Sequence, residues 1–126
     1  AWLTGSDSFA VNSLLLNRLM FATEAVHETN QAGWRDEKLI ADVPAAIAAR
    51  MQAQTRSQID DIVVRMNERE PTPWDSHPPD EKRIAHAQRL GHAGILQLDS
   101  PASELFADFE ELCVNVTLFE YRQLGI

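Results

Sequence analysis

The chain has 126 residues, of which 44% are hydrophobic and 24% charged, the make-up of a folded globular protein with room for one ordinary core. Its net charge of -8 at neutral pH, with no clustered Lys or Arg, argues against nucleic acid as a partner and against adsorption to an anionic membrane face. One cysteine, Cys113, excludes an intramolecular disulfide and a multi-cysteine zinc site, and no apolar run reaches the ~20 residues that cross a bilayer or has the form of a signal peptide.

The first predicted helix follows Ser6-Asp7-Ser8, residues whose side-chain oxygens cap free backbone N–H groups. From Phe9 onward Val11, Leu14, Leu15, Leu19, Ala22 and Val26 recur at helical spacing, which predicts a helix from about Ser8 to about Asn30 with Gly33 as its stop. Leu16, Met20 and Phe21 widen its stripe, so it is expected to meet partners on two sides. Residues 34–43 read as a polar connection with a short helical possibility over Asp36 to Ala41. Pro44 suits a first helical turn, and the alanine-rich stretch after it predicts a second helix to about Ala53. Thr55-Arg56-Ser57 offers another cap ahead of Ile59, Ile62, Val63 and Met66, giving a third helix that ends near Glu70, before Pro71 and Pro73. The helical period runs through both, so the second and third helices are read either as separate or as one kinked rod.

Pro71-Thr72-Pro73-Trp74-Asp75 is the clearest break in the chain. It divides an N-terminal helical half, 1–70, from a C-terminal half, 71–126, and the two are expected to pack as one domain. A fourth helix is predicted from Pro78 or Pro79 to about Leu90, stopped by Gly91 and Gly94, and residues 94–98 read as at most one short extended segment. Asp99-Ser100-Pro101 has the form of a helix start, with Ser100 as cap and Pro101 in the first turn. Leu105, Phe106, Phe109, Leu112, Cys113 and Val116 carry that helix onward, and Leu118, Phe119, Tyr121 and Leu124 extend it to the end of the chain. The predicted fold class is therefore all-α, a single-domain bundle of about five helices.

Most residues with chemical potential have a plainer explanation beside them. Cys113 sits among Leu112, Val114 and Val116 and is expected to be a core thiol. His27-Glu28-Thr29-Asn30-Gln31 starts like the HExxH zinc helix but carries Gln31 where the second imidazole must stand, so it reads as a solvated helix end. His86 and His92 lack a spaced metal partner, and Asp108, Glu110 and Glu111 fall on different helical faces. His77 stands out because it precedes two prolines that fix the backbone ahead of a helix, although by spacing alone a helix cap plus a surface ion pair is its plainer explanation too. Arg83 follows on the first turns of that helix, with a planar donor fork suited to a carboxylate or an oxyanion.

The run Ser76-His77-Pro78-Pro79-Asp80-Glu81-Lys82-Arg83-Ile84 resembles the Ser/Thr-His-Pro-x-x-x-x-Arg-Ile/Leu signature of the HtpX-type zinc metallopeptidases. That family includes the CAAX prenyl endopeptidases and the mitochondrial OMA-type proteases. The stretch from Ser100-Pro101-Ala102-Ser103-Glu104-Leu105-Phe106 through Phe109, Leu112, Thr117 and Tyr121 looks like the tail of certain bacterial members. Leu3-Thr4-Gly5 and Asn12-Ser13-Leu14-Leu15-Leu16-Asn17-Arg18 resemble their long helical insert. The short motif covers under a tenth of the chain, and the flanking likeness is broader and softer.

The resemblance implies that His77 helps to stabilise an oxyanion at the edge of the cleft and that Arg83 braces the site by pairing with a carboxylate. It also implies a catalytic Zn2+ held by an HExxH helix and a later glutamate, all upstream of the motif. This sequence has none of those ligands, so the chain is expected to be the C-terminal, non-zinc-binding portion of a bacterial endopeptidase, inactive by itself. The start at Ala1, without an initiator methionine, fits either a processed protein or an excised fragment of a longer one, and the resemblance favours the fragment. The partners implied are the remainder of the peptidase chain and a protein or peptide substrate, on the cytoplasmic side or at a membrane through the parent, with no membrane span in this segment. The alternative is a helical module that binds a protein partner or forms a homodimer through the first helix and has no catalytic role.

Overall fold

The computed structural model describes residues 2–68, 77–96 and 100–126. Among the described residues the chain is all-α, as the periodicity predicts: α1 Ser6–Trp34, α2 Val43–Gln52, α3 Arg56–Glu68, α4 Asp80–Leu90 and α5 Phe109–Gln123, with a 3-10 turn over Ala102–Leu105 and no strand. None of these helices is long and apolar enough to cross a membrane. The helices divide between two compact units, one formed by 1–18 with 54–98 and the other by 19–53 with 99–126. The expected break at residues 71–75 lies outside the described residues.

In the first unit, α3 packs on α4. Thr55 and Gln58 form a reciprocal cap at the start of α3: Thr55 N–H donates to Gln58 Oε1 at 2.9 Å and Gln58 N–H to Thr55 Oγ1 at 3.3 Å. This cap makes α2 and α3 separate helices. At its other end the unit is closed by backbone pairing. Ile95 N–H and Leu96 N–H both donate to Leu3 O at 2.9 Å, and Ser6 N–H donates to His92 O at 2.8 Å. Two glycines permit that approach, since a Cβ on Gly94 would stand 2.6 Å from Gly5 N and from Thr4 C. The buried Ser6 hydroxyl adds a side-chain tie, donating to Ala87 O at 2.6 Å and accepting from His92 N–H at 3.1 Å.

The second unit holds a buried apolar cluster. Val26 of α1, Val43 of α2 and Tyr121 of α5 are buried together, with Leu39, Ile40, Ala46 and Ile47 packed against them. Along α5 the buried positions are Cys113, Thr117 and Tyr121, one face at four-residue steps. Thr117 is fully buried, and its hydroxyl accepts from Val43 N–H at 2.9 Å and donates to Cys113 O at 3.0 Å. Tyr121 shares its one hydroxyl proton between Ile40 O at 2.8 Å and Asn30 Oδ1 at 3.1 Å. Asn30 Oδ1 also accepts from Ile40 N–H at 2.9 Å. A loop that sequence periodicity does not define is thus pinned from two helices.

Several expected boundaries move. α1 starts at Ser6 rather than Ser8, because the Ser6 hydroxyl is spent on α4 and not on its own helix. It also runs through Gly33 to Trp34, where the Gly33 carbonyl accepts from Asp36 N–H and Lys38 N–H and turns the chain. No helix forms over residues 36–41. Glu37 takes a left-handed backbone (φ 57) and Ile40 is held by Asn30, so the segment reaches α2 as a turn and an extended run. Asp42 then caps α2, its Oδ1 accepting from Ala45 N–H at 2.8 Å.

The fourth helix begins at Asp80, with Pro79 extended as its cap, so both prolines precede it. Gly91 ends it in the left-handed conformation (φ 60) expected of a stop. Residues 94–96 form no strand; 97 and 98 lie outside the described residues. Ser100 does not open a continuous helix. Bonds from Glu104 N–H to Pro101 O and Phe106 N–H to Ser103 O close only a 3-10 turn, and α5 restarts after Asp108, itself left-handed at φ 49. The apolar spacing is blind to that interruption.

Candidate functional site

The motif region lies in the first unit, at the entrance to α4. Arg83 Nη1 donates to Asp80 Oδ1 at 3.0 Å across one helical turn. The other carboxylate oxygen, Asp80 Oδ2, accepts from Asn17 Nδ2 of α1 at 3.1 Å, and the same amide donates to Ser13 O at 2.9 Å. Beneath the guanidinium lies the Phe9 ring, with Arg83 Cζ 5.3 Å from its centroid, close enough for a cation–π contact. Two oxygens of one carboxylate therefore tie the first turn of α4 to α1. All four side chains are partly buried, and solvent screening keeps the ion pair itself to roughly 1 kcal/mol or less.

His77 stands three residues before α4, at a bend, and is exposed. Among the described residues it has no hydrogen-bond partner, and it is not brought against Arg83. Its two flanking features differ: Ser76 lies outside the described residues, whereas Pro78 and Pro79 lead directly into the helix start. The structure thus presents an exposed imidazole three residues ahead of a braced helix entrance. Asp80, Asn17 and Phe9 went unread in the sequence as parts of this arrangement. Asp80 carried a usable signal, lying three residues before Arg83 and hence on the same helical face.

The remaining candidates are exposed or take part in the fold. His86 and His92 are exposed, and His92 takes part in the fold through its backbone alone. Asp108, Glu110 and Glu111 border, with Ser103, Glu104 and Phe109, an open depression of about 530 Å³ at the start of α5. Among the described residues no three His, Cys, Asp or Glu side chains converge on a point that would hold a metal ion. Cys113 is buried, and burial pushes its thiol above the ordinary range, with Asp42 and Glu110 acting in the same direction.

His27 is placed elsewhere, in the second unit. With Asn30, Gln31 and Trp34 it forms one face of α1 and lines a groove of about 520 Å³ whose other wall comes from Val43, Tyr121 and the C-terminal residues of the chain. The i, i+3, i+4, i+7 spacing of these four residues is that of a single helical face.

The chain matches no protein-family model, and comparison with curated proteins and with solved structures gives no match.

Proposed function

We propose that this chain is the C-terminal, non-zinc-binding portion of a zinc-dependent endopeptidase of the HtpX type, in which it supplies the edge of the active site. The observation that carries the reading is the braced motif. Arg83 pairs with Asp80, and Asp80 accepts from Asn17, an arrangement compatible with the bracing role that the resemblance implies for Arg83 and equally with a plain surface ion pair. His77 is left exposed beside that brace, available to donate to negative charge developing on a substrate carbonyl. Zinc does not fit the described residues of this chain, so on this reading its ligands come from the rest of the parent, and the part played by these residues is to position and to donate.

The reading frame upstream of Ala1 is the test. An HExxH helix followed by a further glutamate supports the proposal, and a frame without them sinks it.

A specific feature favours a second reading, a helical interaction or dimerisation module. On the part of α1 that belongs to the first unit, Val11 and Leu15 stand four residues apart with Leu16 beside them, and all three are exposed. Clustered exposed apolar side chains of this kind mark interaction surfaces more often than chance placement does. In solution, a mass that rises with protein concentration supports the dimer, and a strict monomer at all concentrations contradicts it.

A further inference from the structure

The groove in the second unit has a chemical character of its own. About 520 Å³ falls within the range of small-molecule sites, which are mostly apolar with a few convergent polar groups. Val43, Leu124 and Ile126 supply apolar wall, Trp34 supplies a half-exposed indole, and Glu120 is the one carboxylate side chain among the described lining residues, which include the imidazole of His27 and no Lys or Arg. The floor is rigid, because Tyr121 is buried and its hydroxyl is held by Ile40 O and Asn30 Oδ1. An apolar cleft bearing a carboxylate side chain and a half-exposed indole favours a ligand with an apolar body and a positive charge, since the ammonium gains both the carboxylate and the ring quadrupole.

The geometry points to a binding site for a small free organic ammonium, a protonated amine on an aryl or alkyl body, in the groove between the C-terminal part of α1 and the end of α5. Glu120 pairs with the ammonium, Trp34 lies against it, and Val43 and Leu124 take up the apolar body. This inference does not depend on the peptidase reading, and each can fail without the other.

The test titrates the whole chain with phenylbutylammonium and with two congeners of the same body, phenylbutanol and phenylbutyrate, by calorimetry. The ammonium is expected to bind about tenfold more tightly than the alcohol, as roughly 1.4 kcal/mol of charge recognition requires, and the carboxylate more weakly than either. Glu120→Gln is expected to abolish the preference of ammonium over alcohol, and Trp34→Leu to weaken ammonium binding several-fold. Both side chains lie at the surface, and the comparison of two ligands within one variant is unaffected by any change in folding stability. No saturable binding of the ammonium, equal affinity for ammonium and alcohol in the parent chain, or an unchanged preference in Glu120→Gln overturns the inference.

Discussion

Thr117→Val isolates one hydrogen bond at the centre of the second unit. Thr117 is the one large side chain sealed completely from solvent among the described residues, and its hydroxyl is the acceptor for Val43 N–H at 2.9 Å. Val43 opens α2, so its N–H has no partner within its own helix. Valine keeps the shape and replaces the hydroxyl by a methyl. Cys113 O loses an extra donor, but it retains the ordinary backbone bond of α5.

The cost therefore falls on the stranded Val43 N–H, about 1–3 kcal/mol for a buried unsatisfied donor. The added methyl offsets at most about 0.8 kcal/mol. A net loss of about 1–2 kcal/mol is expected, read as a lower urea midpoint at unchanged slope in far-UV circular dichroism. Thr117→Ser should keep the Val43 amide protected from hydrogen exchange, and Thr117→Val should not. A valine variant as stable as the parent chain refutes the reasoning, because the site would then be purely apolar packing.

Two further outcomes follow from other contacts. Gly94 and Gly91 both have positive φ, but an added Cβ meets backbone only at Gly94; Gly94→Ala should cost at least about 3 kcal/mol against roughly 1 kcal/mol for Gly91→Ala, and equal losses in urea titration would show that the pairing of 92–96 with 3–6 contributes little. Cys113 in the folded chain should react with a thiol reagent far more slowly than in the unfolded chain around pH 8.5–9. The folded-state thiol titrates above its unfolded value, so its contribution to stability is complete below roughly pH 8.5 and is lost as pH rises through the folded-state value. Equal labelling rates in folded and unfolded chains would contradict its burial.

The helices themselves were legible because each is written in local periodicity: Val11 to Val26 for α1 and Ile59 to Met66 for α3 carry their spacing in the open. What escaped depends on side chains meeting across long sequence separations. Ser6 looked like the cap of its own helix and instead bonds Ala87, eighty-one residues away. Leu105 to Val116 keep helical spacing straight through the break at Asp108, so only the left-handed backbone there reveals that α5 starts late. Thr117 stood out only as a match to a family tail and Tyr121 as that and as part of the last helix's apolar period, and the structure gives both a physical task in pinning residues 40–43. At the motif, the placement of His77 ahead of a proline-led helix was readable, whereas the α1 side chains that brace Arg83 through Asp80 were not.

The central claim is tested most directly by His77→Ala in the zinc-loaded full-length parent, assayed on an unfolded protein substrate. Loss of one donor to a developing oxyanion should lower kcat by roughly 10²- to 10³-fold while zinc content and thermal unfolding stay at the parent's values. Unchanged turnover, or a loss of activity that tracks unfolding, would contradict the assignment of His77 to the edge of an active site.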